Sequence, residues 1–422
     1  MREHKAACQL AAQTICVKAK KLRINFALWH IYFVEAARYL EGPIRDDLNR
    51  KMVFVAGARQ VGKTTLARHL LSEREGVYLN WDNRTDRKEI RGAHWPGKAA
   101  LVALDELHKW RGWKGWLKGE YDAHHRTTAF LVTGSARMDV YRRGGDSLQG
   151  RYHHYRLHPF SAAETGGSKP ATEIEPGSEL DIPRASRERL DALMEYSGFP
   201  EPFLAQSARV HRRWQKERLD RFFREDVRDL EVIRDLSSFE LLADMLPDRV
   251  TSPLSLNSLR EDLEVSHRAV THWIDILDRL YYAVRISPFA STRVRAMRKM
   301  PKAYLWDWTL VTDRGARFEN LVALHLLKLC HLLEDRDGFD IRLHYLRDHA
   351  GREVDFLIVN GRKPWIAVEA KASETTIDPA LLYFRDRLKI PFVYQVVLDG
   401  TRDFVDRGVR CLPAADFLAA LV

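Results

Sequence analysis

The sequence predicts a multidomain α/β chain, and three observations predict it. In the N-terminal part, strand-like apolar runs alternate with helical ones. A helix-rich stretch fills the middle, and a second set of strands and helices closes the chain. Strands alternating with helices argue for a parallel sheet covered on both faces. At 422 residues the chain has room for several cores, since single cores stop growing near ~250–300 residues.

The first set comprises "MVFVAGA", a helix from Lys63, "GVYLNW", "AALVALDE", a Trp-rich helix and "AFLVTGSA". The seam "TGGSKPATEIEPGSELDIP" is rich in Gly, Pro, Ser and acid and reads as an exposed loop or insertion. After it, "RVHRRWQKERLDRFFREDVRDLEVI" has amphipathic helical spacing. The expected division is a basic extension over 1–35, an α/β domain over 36–164, the acidic loop over 165–185, and a helical lid or linker over 186–248. A small helix-and-strand domain over 249–311 and a second α/β domain over 312–422 complete it. Residues 1–35 read either as a poorly ordered arm or as an extension upstream of the native start.

The net charge of +10 favours an anionic partner, nucleic acid before a membrane surface or plain solubility. Cys8, Cys16, Cys330 and Cys411 form no CxxC pair, which fits a reducing cytoplasm and no thiolate metal site. The most apolar run, "INFALWHIYFV", falls well short of the ~20 residues that a membrane span needs.

"GARQVGKTT" at 57–65 satisfies G-x-x-x-x-G-K-[ST], follows an apolar strand and opens a helix. Gly57 and Gly62 let the backbone of Gln60, Val61 and Gly62 curl so that N–H groups face phosphate oxygens, with the helix N-terminus at Lys63, Thr64 and Thr65 behind them. Lys63 then reaches the β- and γ-phosphates of ATP, and Thr64 holds Mg²⁺. "ALVALDE" supplies the acids of such a site: Asp105 binds the metal and Glu106 polarises the attacking water. The bland alternative is an acid pair stabilised at a helix start. Thr133 and Ser135, ending "AFLVTGSA", stand where AAA-type ATPases commonly carry a sensor of the γ-phosphate. Arg151 in "SLQGRYHHYRLHPFSAAE" reads either as an arginine finger or as a solvated charge.

In "EVDFLIVNGRKPWIAVEAK", residues 353–371, three charges interrupt apolar runs flanking a turn. If "NGRKP" is the loop, Val359 pairs with Trp365, which sets Asp355 across from Glu369. Residues two apart share a strand face, so Asp355, Glu369 and Lys371 converge on one patch. Two close carboxylates repel unless a cation lies between them, and oxygen ligands suit Mg²⁺ or Mn²⁺. A neighbouring lysine can orient a metal-bound water, which phosphodiester hydrolysis requires. The alternative is a cross-strand salt bridge.

D-x13-E-A-K, with Glu319 on the preceding helix "GARFENLVALHLL", resembles the PD-(D/E)XK nuclease superfamily, with Val354 where the family name has proline. The resemblance implies catalytic roles for Glu319, Asp355, Glu369 and Lys371 and a metal at Asp355 and Glu369. From about residue 36 onward the chain is similar to a prokaryotic family of AAA-type ATPases ending in a domain of unknown function numbered 4143. The similar pieces are "RYLEGPIRDDL", the phosphate loop, "LDELHKW", "LVTGSAR", "SLQGRYHHYRLHPFSAAE", "SGFPEPFL", "KAYLWDWTL", "RFENLVALHLL" and "GREVDFLIV". The resemblance implies a P-loop AAA-type parallel sheet joined to a nuclease-like fold, with homo-oligomers formed through the AAA-type domain.

"LSLNSLREDLEVSHRAVTHWIDILDRLYYAVRI" resembles a winged helix. Ser266 caps its longer helix, whose buried stripe is Val270, Trp273, Ile274, Leu277 and Leu280. His267, Arg268, Thr271 and His272 are left near the exposed N-terminal part, the portion that enters a major groove in such domains. The following stretch, with Arg293, Arg295, Arg298 and Lys299, is a basic wing for gripping DNA; the alternative for the whole unit is a protein–protein joint. Trp110, Trp113 and Trp116 stack on single-stranded bases or, as is commoner, pack on the sheet. These readings converge on an ATP-hydrolysing enzyme with a DNA-binding middle and a metal-dependent nuclease-like end. The alternative is a nucleotide-driven switch or scaffold whose C-terminal fold binds DNA or protein without cutting.

Overall fold

The computed structural model describes residues 38–96, 99–134, 148–166, 173–230, 233, 235–289, 300–373 and 376–422. After helix α1 (Glu41–Asp47), β1 (Met52–Gly57), α2 (Lys63–Ser72), β2 (Gly76–Asn80), α3 (Arg84–Gly92), β3 (Leu101–Asp105), α4 (Trp113–His124), β4 (Ala129–Gly134) and β5 (Tyr152–Leu157) build one sheet and its covering helices. The strands are all parallel, in the order β2-β3-β4-β1-β5. Strand β1 is buried at every position because it lies between two neighbours and under helices on both faces. Alternate residues serve different cores: Val53 and Val55 join the core that runs through the rest of the molecule, while Met52 and Phe54 join a smaller, tryptophan-rich one. Trp113 is buried in that smaller core, and Trp110 and Trp116 pack half-buried against it, with Trp81 stacked on Trp110 at 5.0 Å. The three tryptophans are packing residues.

Strand β5 is not evident in the sequence, where "YHHYRL" lacks an apolar run. It pairs with β1 alone among the described strands, at the sheet edge, where burial is partial.

A short α5 (Ala162–Thr165) leads to a helical region of α6 (Arg187–Tyr196), α7 (Pro200–Ala205) and α8 (Ala208–Arg221). Helix α8 passes through a π turn, Phe222–Asp226, into a last turn, Val227–Leu230. Helices α9 (Leu236–Met245), α10 (Leu256–Asp262) and α11 (His267–Arg279) follow, then the antiparallel pair β6 (Ala283–Ile286) and β7 (Lys302–Leu305). Ser266 Oγ accepts from Ala269 N at 3.1 Å, and Val270, Trp273, Ile274, Leu277 and Leu280 are buried. Arg293, Arg295, Arg298 and Lys299 lie outside the described residues, as do Ser135 and residues 1–35.

Helix α12 (Arg314–Asp337) is the structural centre. At 1.5 Å per residue it is about 36 Å long, and it packs on β5 of the first sheet and on β8, β9 and β10 of the second. Every residue from Asn320 to Leu333 is buried, so this helix is wrapped on all sides. The second sheet contains β8 (Ile341–Arg347), β9 (Glu353–Asn360), β10 (Lys363–Lys371), β11 (Phe392–Val397), β12 (Phe404–Asp406) and β13 (Val409–Pro413), in the order β12-β13-β11-β10-β9-β8. Helix α13 (Pro379–Leu388) covers one face, and α14 (Ala414–Ala419) packs back on α5 and α6. The described part of the acidic seam is irregular and mostly exposed chain anchored to the second sheet: Trp365 Nε1 donates to Ser178 O at 2.8 Å, and Leu180 is buried.

The β9–β10 turn is tighter than the sequence suggests. Asn360 pairs with Lys363 and Val359 with Pro364, and an irregularity at Trp365 restores the frame, so that Ile358 faces Ile366 and Phe356 faces Val368. Val359 opposite Trp365 is therefore incorrect. The extra residue compensates for the shorter turn, and Asp355 still meets Glu369.

Candidate functional site

Gln60 at φ 64° and Gly62 at φ 103° curl the loop between β1 and α2. Only glycine tolerates Gly62's conformation without strain, and a Cβ on Gly57 would come within 2.5 Å of the Leu157 carbonyl oxygen. No side chain caps α2, so the N–H groups at its start, including those of Lys63, Thr64 and Thr65, face the loop. Lys63 is buried and folds back, its Nζ donating to Gly57 O at 3.0 Å and Ala58 O at 2.8 Å. Burial lowers its pKa against the opposing pull of Glu106, Asp105 and Asp226.

Thr64 Oγ1 donates to Asp105 Oδ2 at 2.9 Å, and Thr133 Oγ1 to Asp105 Oδ1 at 2.5 Å. Tyr78 OH adds a third donor to Asp105 Oδ2 at 2.5 Å. The hydroxyl and carboxylate side by side are an oxygen donor set that fits Mg²⁺ beside a bound nucleotide. Glu106 sits in a left-handed turn at φ 57°, with its N–H on Thr133 O at 2.9 Å and its carboxylate 3.6 Å from both His108 and Lys109.

Three further residues belong to this neighbourhood. The π turn brings buried Asp226 to Arg59 at 3.4 Å, and Arg59 also pairs with Glu225. Burial pushes the Asp226 carboxyl up to about 6, with Glu106 adding to the rise and Arg59 and Lys63 opposing it. Arg151 is not brought here. Its carbonyl accepts from Met52 N at the opposite end of β1, about 20 Å of strand from the loop. Its guanidinium is paired with Asp122 at 2.7 Å. Strand β5 runs parallel to β1, so the residue that precedes it lies at the end of the sheet away from the phosphate loop.

A buried network joins the loop to α12. Arg38 Nη1 donates to Val61 O at 2.9 Å and Nη2 to His158 O at 2.5 Å, while Nε pairs with Glu164 Oε1 at 2.8 Å. The other Glu164 oxygen takes Lys328 Nζ from α12, and Lys328 also donates to Ser161 Oγ at 3.0 Å. Burial would raise the Glu164 carboxyl, but Arg38 and Lys328 outweigh it and hold the group down at about 2. Along α12, His325 accepts from Ala162 N at 3.0 Å and His331 meets His158 at 2.8 Å. Near the end of α12, Arg156 on β5 pairs with Asp335 at 2.6 Å.

The second cluster lies where β7, α12, β9 and β10 meet. Asp355 N donates to Glu369 Oε2 at 3.2 Å, and Ala370 N donates to Asp355 Oδ2 at 3.0 Å. Lys371 Nζ pairs with Glu369 at 2.6 Å and with Asp378 at 3.0 Å. Glu319 accepts from Tyr304 OH at 2.7 Å and from Lys302 Nζ at 3.3 Å. Burial first, and then the Asp355 charge, push Glu319 and Glu369 each up to about 8. All four residues read from the sequence therefore converge. No group of three His, Cys, Asp or Glu side chains among the described residues is arranged to hold a metal ion. A divalent cation does not fit this cluster as it stands, because ammonium groups already contact the carboxylates. Lys302 was the omission: it opens the quoted "KAYLWDWTL", and a lysine in a fully buried strand is the signal that marks it.

His267, Arg268 and His272 are exposed on α11, while Thr271 is half-buried and returns its hydroxyl to His267 O at 2.8 Å. No helix among the described residues is long and apolar enough to cross a membrane.

Comparison with known proteins divides the chain in three. Residues 49–166 match the AAA domain family, 187–314 a domain of unknown function (DUF8612) and 314–417 a domain of unknown function (DUF4143). An uncharacterized protein of Mycobacterium tuberculosis is 23% identical over 350 residues, covering 79% of this chain and 73% of its own length. One from Methanocaldococcus jannaschii is 21% identical over 359 residues, covering 80% and 79%. Among solved structures, the Thermotoga maritima Holliday junction branch migration motor aligns over 58% of this chain and 87% of its own, at 17% identity and a TM-score of 0.30.

Proposed function

We propose, for a chain that carries an AAA domain followed by a DUF4143 domain, that ATP hydrolysis at Lys63, Thr64, Asp105 and Glu106 drives a switch whose responding part is α12. The observation that carries this reading is the buried path from the phosphate loop through Arg38 and Glu164 to Lys328. A nucleotide that draws on the loop's N–H groups alters the Val61 peptide, and Arg38 holds that peptide's carbonyl. Glu319 lies nine residues before Lys328 on the same helix, roughly 13 Å along it, so one rigid element links the nucleotide site to the second cluster.

The target we propose is nucleic acid, DNA in preference, met by the basic face of α11 in a winged-helix unit of α10, α11, β6 and β7. The net charge of +10 and the exposed His267, Arg268 and His272 support it. Arg151 would serve only the nucleotide site of another copy in a homo-oligomer, since its own site is at the other end of the sheet.

Hydrogen exchange tests the switch. Amides of α12 and β5 in the wild type are expected to differ between ATP- and ADP-bound protein, and the difference should vanish in Lys63→Ala. Active ATP turnover with identical α12 exchange in both nucleotides would sink the reading. Arg268→Ala should weaken binding to duplex DNA without touching ATP turnover.

The convergence of Glu319, Asp355, Glu369 and Lys371 favours a second reading, phosphodiester cleavage. It requires the Lys302 ammonium to leave the carboxylates so that a divalent cation can enter, and predicts nicking of supercoiled plasmid in Mg²⁺ or Mn²⁺ that Glu369→Ala abolishes while ATP hydrolysis persists. Intact plasmid under all conditions, with DNA still bound, leaves the non-cutting switch.

A further inference from the structure

The carboxylates of the second cluster have a resident cation, and it comes from outside the second sheet. Lys302 stands on β7, where it pairs with Ile286 of β6. Its side chain is 1% exposed. An ammonium so far from water is tolerated only when charge and hydrogen bonds replace its hydration. Three carboxylates do so here: Glu353 at 2.6 Å, Glu319 at 3.3 Å and Asp355 at 3.7 Å. The face of Tyr345 lies 5.4 Å from the same nitrogen. These carboxylates come from α12 and β9, so the lysine gathers oxygens from separate elements at one point, as a bound cation would. On the far side, Lys371 neutralises Glu369 and Asp378.

We infer that Lys302 is the built-in counter-ion of this cluster: it keeps β7 docked on the second sheet and occupies the place that a divalent cation would need. The cluster is thus a socket for the middle domain in this conformation, and metal and lysine are mutually exclusive occupants of it. Bonds to Tyr345 of β8 reinforce the docking: its OH donates to Met300 O at 2.6 Å, its N to Ser287 O at 3.3 Å, and Phe289 N donates to its carbonyl at 2.8 Å. A divalent ion enters only when β7 withdraws or its lysine is removed.

The test needs no catalytic readout. Thermal melting and Mn²⁺ binding, followed by the free-ion paramagnetic signal, are measured on full-length wild type, Lys302→Met and Lys302→Met/Asp355→Asn, without nucleotide. Lys302→Met is expected to melt roughly 5 °C or more below wild type in chelator, as a broken buried ion cluster does in a large chain. Mn²⁺ should restore its stability and bind to it, with little effect on wild type, and Asp355→Asn should abolish the gain. Wild type that binds Mn²⁺ through Asp355 as tightly as Lys302→Met does would overturn the inference. So would a Lys302→Met protein that neither loses stability nor gains Mn²⁺. If that variant fails to fold, adding Glu319→Gln and Glu353→Gln should recover it by removing the repulsion; no recovery would also overturn the proposal.

Discussion

Glu106→Gln is expected to slow ATP hydrolysis by about 10²–10⁴-fold while leaving ATP bound, the loss typical of a removed general base. The amide keeps the size and the left-handed backbone of Glu106 but cannot draw a proton from water. Asp105, Thr64 and Lys63, which hold the nucleotide and its Mg²⁺ in the proposed site, are untouched. The two measurements are phosphate release and the binding of a fluorescent ATP analogue. Lys63→Ala should lose both, because it removes the charge on the phosphates. The competing base is Asp226, a buried carboxyl near Lys63 and Glu106. Wild-type turnover in Glu106→Gln together with a collapse in Asp226→Asn would transfer the role to the π turn. Interrupted helices of that kind are frequent at functional sites.

What the sequence discloses follows from the distance between partners. The phosphate loop is contiguous, so its residues and its strand–helix setting read directly from "MVFVAGARQVGKTT". Asp355 and Glu369 are close in sequence and joined by one turn, so register arithmetic brings them together although the turn is tighter than that arithmetic assumes. Arg38 and Glu164 are 126 positions apart, and Glu164 and Lys328 are 164 apart. No local pattern marks such pairs, and within "RYLEGPIRDDL" Arg38 looks like a solvated charge. Lys302 is only 17 positions from Glu319, but the burial that marks it comes from tertiary packing, which the sequence does not display. Helix α12 could be foreseen as a helix, but its burial on every side comes from two sheets that close on it from opposite directions. The boundary expected at residue 312 falls just before this helix, which packs on both sheets.

Removing Glu164 tests how tightly those parts are bound into one body. Glu164→Ala is expected to destabilise the chain by about 3–5 kcal/mol, since it leaves two buried cations without their shared anion. Lys328→Met should cost less, because Arg38 still satisfies Glu164 and the methionine fills the lysine's apolar path. Arg38 keeps its two carbonyl partners in either variant, so the difference between them measures the uncompensated charge rather than lost packing. The pH dependence has a fixed sign. A carboxyl held at about 2 in the folded state and at 4.5 when exposed contributes stability at higher pH that is lost as pH falls through that window. Denaturant midpoints of the wild type should therefore drop from pH 4.5 downward, and those of Glu164→Gln should drop less steeply. Equal acid slopes in the two proteins would mean that Glu164 is not held ionised between its cations. Since the switch runs through that same carboxylate, a Glu164→Gln protein that folds should hydrolyse ATP without the nucleotide-dependent change in α12. Stability and signalling would then fail at one residue, as expected when a single buried ion forms the joint between the nucleotide loop and the central helix.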